Sequence, residues 1–295
     1  VAAPRAIRVR CPAKINLGLW ILGRRPDGFH EIDTIMQSVG LEDELLLEEA
    51  RGGFSLTTRG LPIPGDGPNI LKRAWALLAP RDPSRGVRVT LTKRIPVAAG
   101  LGGGSSDAAG FLLGANRLLA LGRSQEEIHS FAAQLGSDVS FFLKGGTARA
   151  TGRGEQVRHL CPAPPAWIVL ATPPLAISTT WAYRRVKIPL TLGERDGSIL
   201  AAAMGATEWR SIASHFHNDF EDVVLREFEM VARLRRALDA SGVLGSLLSG
   251  SGSTVFGLAL TRDEAQSAAN TAAALGARVH VVRTTERGVA LAELA

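Results

Sequence analysis

The stretch from Pro96 to Asp107 carries the most specific chemistry in the chain: Pro96, Val97, Ala98, Ala99, Gly100, Leu101, Gly102, Gly103, Gly104, Ser105, Ser106 and Asp107. Four glycines within five positions let the backbone approach a ligand closely and adopt positive φ where a tight turn requires it. Upstream, Val87, Val89 and Leu91 alternate with Arg88, Thr90 and Thr92, the period of a half-buried strand. Downstream, Ala108, Phe111, Leu112, Ala115, Leu118 and Leu119 recur at helical spacing. A strand, a glycine loop and a helix N-terminus in succession aim unpaired amides and a positive dipole end at one point, which suits a phosphate. Ser105 and Ser106 can cap that helix or offer hydroxyls to a phosphate or to Mg²⁺. A merely flexible turn needs neither four glycines nor two serines at a helix start.

Two common phosphate-binding patterns are excluded. A P-loop places a lysine directly after its last glycine, and none follows here. A dinucleotide fingerprint needs a third glycine where this chain has Ser105 or Asp107, depending on the starting glycine.

Other elements must bring further groups to this loop. Ile7, Val9 and Cys11 alternate before Pro12, and Ile15, Leu17, Leu19 and Ile21 alternate after it, which predicts two strands joined at Cys11-Pro12-Ala13. Lys14, Asn16 and Gly18 share the face opposite the apolar one. That face is either solvated or a charge, an amide and a gap set side by side for a ligand. Asp27-Gly28 signals a hairpin tip, where Phe29 and His30 can meet a flat ring. Strands are expected over 33–39 and 44–49, then a Gly/Pro loop over 60–68 and a helix from Asn69, its N-cap, to Leu78. Ser124 and Glu127 fit a capping box for a helix that ends at Gly136 as C′ residue. Asp138, in Gly136-Ser137-Asp138-Val139-Ser140-Phe141-Phe142, reads by itself as the cap of a short apolar segment.

A twisted hairpin is expected over 144–157, and Pro162-Ala163-Pro164-Pro165 is the best candidate domain boundary. Beyond it come a buried strand over 167–171, a helix start at Ser178 or Thr179, and a polar, mobile region over 187–209. Leu225, Phe228, Val231, Leu234 and Leu238 predict one helix ended by Gly242. A helix over 263–275 and a strand over 278–283 complete the order.

Together these stretches resemble the GHMP kinases, which phosphorylate galactose, homoserine, mevalonate and phosphomevalonate. Within that superfamily, Gly-Leu-Gly-Gly-Gly-Ser-Ser-Asp-Ala-Ala from Gly100 to Ala109 is similar to the phosphate loop of the 4-diphosphocytidyl-2-C-methyl-D-erythritol kinases. Pro12-Ala13-Lys14-Ile15-Asn16-Leu17-Gly18-Leu19 resembles that family's first motif, and the stretch from Leu247 to Phe256 resembles the superfamily's third. Asp27-Gly28-Phe29-His30 is similar to a stretch that homoserine and mevalonate kinases lack, which argues for the cytidylyl acceptor over theirs.

The resemblance implies a two-domain α+β GHMP kinase fold, with an N-terminal ribosomal-protein-like α/β domain and a C-terminal ferredoxin-like α+β domain. Residues 1–161 would hold ATP and the catalytic groups, and residues 162–295 would complete the substrate site. The implied reaction moves the γ-phosphoryl of ATP to the 2-hydroxyl of 4-diphosphocytidyl-2-C-methyl-D-erythritol, in the non-mevalonate route to isoprenoids. Lys14 matches the family's active-site lysine and Asp138 its proposed general base. Pro96 to Ser106 would bind the triphosphate, with Asn69 and Lys93 bordering the adenine. Asn16, Phe29, His30, Thr179 and Tyr183 would bind the acceptor, Phe29 and Tyr183 on opposite faces of the cytosine. Asn218-Asp219-Phe220-Glu221 matches a structural stretch that opens the C-terminal helices. The chain departs from the family pattern at Phe29, which lacks the usual hydroxyl, at Ser137, and at Ser140, which replaces a proline.

Composition agrees with a catalytic, soluble reading. At 295 residues, with 45% apolar and 21% charged residues, the chain can bury the cores of two domains. No apolar run reaches a membrane span and no start resembles a signal or transit peptide, so a cytoplasmic protein without membrane partners is expected. Cys11 and Cys161 are too few for a disulfide framework or a zinc site, and no protein-built metal cage is legible. Mg²⁺ is expected to arrive on ATP. The excess of 34 basic over 28 acidic residues, +6, suits a polyanion such as ATP and would also suit nucleic acid. Basic residues are scattered, with no block beyond pairs such as Arg24-Arg25, and aromatics do not interleave with them. No nucleic-acid partner is therefore expected, and the chain would act as a monomer or weak homodimer.

Overall fold

A computed structural model of the chain describes residues 6–63, 69–78, 82, 84–186, 196–205 and 208–294. In chain order its elements begin with β1 (Ala6–Arg24), β2 (His30–Arg51), β3 (Phe54–Gly60), α1 (Ile70–Leu78) and β4 (Arg85–Lys93). Next come α2 (Gly103–Leu118), α3 (Gln125–Leu135), α4 (Val139–Phe142), β5 (Thr147–Thr151) and β6 (Gln156–His159). The second half holds β7 (Trp167–Thr172), α5 (Thr179–Arg185), α6 (Ser198–Ala203), α7 (Trp209–Ala213), β8 (His217–Asn218), α8 (Glu221–Glu227) and α9 (Glu229–Ala240). It closes with β9 (Gly245–Leu248), β10 (Val255–Ala259), α10 (Arg262–Ala274), β11 (Arg278–Arg283) and β12 (Ala290–Leu294).

The first sheet runs β12-β1-β2-β4-β3, with β5 and β6 extending from β2 and the short β8 beside β1. The two strands predicted around Pro12 are one. β1 continues through the proline because the register with β2 shifts between Pro12 and Ala13, and such a bulge relieves a proline of ladder bonding. The separate strands predicted over 33–39 and 44–49 likewise merge into β2. Gly40 and Leu41 lie between the partners of Ala13 and Pro12, so the apparent break is a bulge. β3, parallel to β4, has no counterpart in the sequence reading.

α1, α2 and α3 cover one face of this sheet, burying Phe111, Leu112, Ala115 and Leu118 against Val9, Cys11, Leu45 and Leu47. Each of the leucine, valine and phenylalanine side chains contributes about 1.5–3 kcal/mol when fully removed from water. The backbone of α2 comes close to the strands: a Cβ on Gly110 would lie 2.5 Å from Cys11 Sγ. Asn69 caps α1 as expected, accepting from Leu71 N at 2.8 Å, and Ser124 and Glu127 form the predicted box at α3. Gly136 follows α3 in extended backbone, φ 170°, rather than in the left-handed conformation of a C′ glycine.

The second sheet is ordered β11-β7-β10-β9, all antiparallel, with α8, α9 and α10 on one face. That is the ferredoxin-like order expected for the C-terminal half. Its other face packs Ile168, Leu170, Phe256 and Leu258 against Ile15, Leu17, Ile35 and Val39 of β1 and β2. This packing explains why β1 is buried on both faces from Cys11 to Trp20, where alternation alone suggested a solvated side. The single helix predicted from Leu225 to Leu238 is two, α8 and α9, broken at Phe228 with φ −123° and ψ 86°. Of the segment expected to be mobile, residues 187–195 and 206–207 lie outside the described residues. Part of the remainder forms α6, anchored by buried Leu200 and Met204, which corrects that expectation. No described helix is long and apolar enough to cross a membrane.

Candidate active site

The glycine loop leaves β4 and enters α2 at the junction of the two sheets. Gly102 is the N-cap of α2, with φ 70° in the left-handed region, so Ser105 and Ser106 stand in the first helical turn and neither caps it. Ser106 N already donates to Gly102 O, whereas Gly103, Gly104 and Ser105 line a cavity of about 1280 Å³ with first-turn amides that lack helical partners. Ser105 faces this cavity; Ser106 is buried beneath it, its hydroxyl without a partner among the described residues.

The turn from Leu247 to Phe256 braces the loop from the second sheet. Ser249 Oγ donates to Gly100 O at 2.9 Å, and Thr254 N donates to Ala99 O at 3.2 Å. Gly100 has φ 77°, and a Cβ there would sit 1.9 Å from Ser249 O. Gly100→Ala combines that collision with a left-handed penalty of about 1–2 kcal/mol. We expect it to raise the KM for ATP about tenfold or more, measured with the acceptor saturating.

β1 carries the next groups. Lys14 N donates to Leu101 O at 3.0 Å, tying the strand to the loop. Lys14 Nζ donates to Asn16 Oδ1 at 2.6 Å and lies 3.4 Å from Asp138 Oδ2. Asn16 in turn donates to Thr34 Oγ1 at 2.8 Å, and Thr34 donates to Gly18 O. The Lys14 side chain is 6% exposed and that of Asp138 33%, so the ammonium is held in place while the carboxylate opens to the cavity. Asp138 occupies the N-cap position of α4 without a side-chain capping bond, so its carboxylate faces Lys14 and the cavity rather than the helix amides.

Phe29, His30, Thr179, Tyr183 and Asn69 also line the cavity, as do Pro96 to Gly104. Thr179 Oγ1 lies 3.1 Å from Ser251 Oγ in the third motif, joining the start of α5 to the brace. Ser178 accepts from Trp181 N and starts α5, which carries Tyr183 to the β1–β2 hairpin tip. There the Tyr183 ring stacks on His30, with centroids 4.5 Å apart and planes at 20°. Burial, followed by the charge of Asp138, pushes the Tyr183 phenol well up, so it stays protonated. Burial and the nearby Arg24 hold the His30 imidazole below its ordinary range, so it is neutral at pH 7. A neutral imidazole offers one donor and one acceptor, the complement of a base edge.

Lys93 lines the same cavity, but its ammonium is taken. It donates to Asp43 Oδ2 at 2.5 Å and to Asp107 Oδ2 at 2.7 Å, all three side chains being buried. The ion cluster closes the base of the loop, because Lys93 precedes it, Asp107 follows it and Asp43 reaches up from β2. Sequence reading missed Asp43 and the partnership with Asp107. The only local signal was a lysine and an aspartate flanking the glycines. It also missed Arg153, which reaches the hairpin tip from the β5–β6 turn.

Residues 69–146 match the GHMP kinases N terminal domain and residues 195–278 the GHMP kinases C terminal domain. A 4-diphosphocytidyl-2-C-methyl-D-erythritol kinase of Shouchella clausii is 43% identical over 252 residues, covering 85% of this chain and 84% of the relative. The crystal structure of a 4-(cytidine 5'-diphospho)-2C-methyl-D-erythritol kinase aligns with a TM-score of 0.79 at 36% identity, covering 94% of this chain and 98% of the other. A homoserine kinase from Cytophaga hutchinsonii aligns with a TM-score of 0.77 at 20% identity over 99% of both chains, a likeness of fold alone. Identity at this level, carried over most of the chain and through both sheets of the cavity, makes this protein a member of the 4-diphosphocytidyl-2-C-methyl-D-erythritol kinase family within the GHMP kinases.

Proposed function

We infer that this enzyme transfers the γ-phosphoryl of ATP to the 2-hydroxyl of 4-diphosphocytidyl-2-C-methyl-D-erythritol, giving the 2-phosphate and ADP. The observation that carries the reading is one cavity with a glycine loop, the Lys14–Asp138 pair 3.4 Å apart, and the Phe29-His30 tip. Phosphoryl transfer has a loose transition state, so catalysis rests mainly on positioning and on neutralising charge. The first-turn amides of α2 and its dipole take the triphosphate, which is why the loop must lack side chains. Asp138 accepts the proton of the attacking hydroxyl, whose oxygen bonds to the γ-phosphorus as the bond to the β-phosphate oxygen breaks. Lys14, held by Asn16, offsets negative charge that gathers on the transferred group.

Among the described residues no cluster of three or more His, Cys, Asp or Glu side chains could hold a metal alone. The donor set therefore suits a Mg²⁺ ion ligated mainly by ATP, with Ser105 as the hydroxyl placed to join it. So held, Mg²⁺ would supply charge neutralisation on the phosphates. Phe29, His30 and Tyr183 take the cytosine end, Asn16 stands beside Lys14 near the reacting hydroxyl, and Thr179 adds a hydroxyl to the acceptor's wall.

A coupled ADP-release assay tests the reading against a panel of this acceptor, mevalonate and homoserine. Turnover is expected with the cytidylyl compound alone. Comparable kcat/KM for either other alcohol would refute the acceptor assignment.

A further inference from the structure

The Arg153 guanidinium lies over the Phe29 ring, 4.8 Å from its centroid, and lines the same cavity. Phe29 itself is 52% exposed at a hairpin tip, where little else fixes its side chain. The arginine is set firmly from below. Gly152 O accepts from Ile32 N at 2.8 Å, Arg153 N donates to Glu155 Oε2 at 2.7 Å, and a Cβ on Gly154 would lie 3.2 Å from Ser137 Cβ. The turn carrying Arg153 is thus pinned between β2 and the residue before Asp138. Among the described residues its guanidinium makes one loose ion pair, 3.9 Å from Glu155, and its charge also acts on Asp27 at the tip, which leaves its flat face to the ring.

We propose that Arg153 determines specificity at the base end of the acceptor site, by covering one face of Phe29 and holding the ring so that only its other face can stack on a heteroaromatic base. This rests on the cytidylyl reading above. The physical case is preorganisation. A phenyl ring without a hydroxyl has no hydrogen bond to orient it, and a cation over its face supplies the missing restraint. A guanidinium suits this task because it is planar, stays charged and stacks on aromatic faces. Arginine–aromatic contacts of this kind correspond to about 2- to 30-fold in binding, depending on how far they are desolvated.

The test compares wild type, Arg153→Ala and Arg153→Lys, each alone and with Phe29→Leu, by steady-state kinetics and by competitive inhibition with cytidine and cytidine diphosphate. We expect Arg153→Ala to raise the acceptor KM and the cytidine inhibition constant by a similar factor, about 2- to 30-fold, with kcat and the KM for ATP changed less than twofold. Arg153→Lys should fall between wild type and alanine, and Arg153→Ala should add nothing in the Phe29→Leu background. An unchanged KM, or an equal loss with and without Phe29, overturns the proposal. So does weakened inhibition by cytidine diphosphate with cytidine unaffected, since Arg153 would then be a phosphate contact. If the wild-type enzyme neither turns over the cytidylyl acceptor nor binds cytidine, the acceptor reading fails instead.

Discussion

Asp138→Asn is expected to lower kcat about 10²–10⁴-fold, the range for loss of a general base, while the KM for ATP stays within a few-fold. The substitution keeps the shape of the side chain and removes only its ability to accept the proton of the 2-hydroxyl. It should cost little stability, because Asp138 makes no capping bond and its carboxylate is one-third exposed. Lys14 keeps its bond to Asn16 Oδ1 in the variant, so the neighbouring ammonium is not released. Lys14→Ala is expected to reduce kcat as well, through lost neutralisation of the transferred group. Single-turnover phosphorylation by the purified variants, with melting midpoints recorded alongside, separates chemistry from folding. Near-normal turnover in a folded Asp138→Asn enzyme would remove the general base from the mechanism.

Lys93→Ala is expected to destabilise the fold by about 3–5 kcal/mol, the cost of leaving buried charge without its partner. The lysine side chain is 3% exposed and stands between carboxylates that are themselves buried. Asp43 is well served: it takes Lys93 at one oxygen and the amides of Arg94 and Ile95 at the other. Asp107 has Lys93 at Oδ2 and, among the described residues, no hydrogen-bond partner at Oδ1. Burial, with Asp43 adding repulsion and Lys93 opposing both, pushes the Asp107 carboxyl up to about 7. Burial pulls the Lys93 ammonium down, but Asp107 and Asp43 together outweigh it and raise the group above its ordinary value, so the ammonium persists through neutral pH.

The sign follows from linkage. A carboxyl whose folded value lies above its unfolded value favours the folded state most when protonated in both, below about pH 4. That contribution is lost as pH rises toward 7. Urea denaturation of the wild type should therefore show a decline in stability from about pH 4 to 7 that Asp107→Asn flattens. Asp107→Asn should also recover part of the Lys93→Ala loss, because one fewer buried charge is then unpaired. A Lys93→Ala protein as stable as the wild type would show that the cluster contributes nothing net to holding the loop.

Much of this was legible in the chain itself, where the information is local. The glycine loop, the box at Ser124 and the Asn69 cap depend on backbone groups within a few residues of one another, and each forms as the side-chain types require. The family motifs likewise read directly from contiguous residues. Tertiary structure alone decided the pairings across elements. Asp43 reaches Lys93 from fifty residues away, Lys14 on β1 meets Asp138 at the start of α4, and Arg153 and Tyr183 arrive at the Phe29-His30 tip from the β5–β6 turn and from α5. The continuity of β1 through Pro12 and its burial on both faces belong to the same class, set by register with β2 and by a second sheet packed against it. Local preference is written in neighbouring residues, whereas the company a charge or a ring keeps is settled by which strands pair, in what register, and what then packs across them.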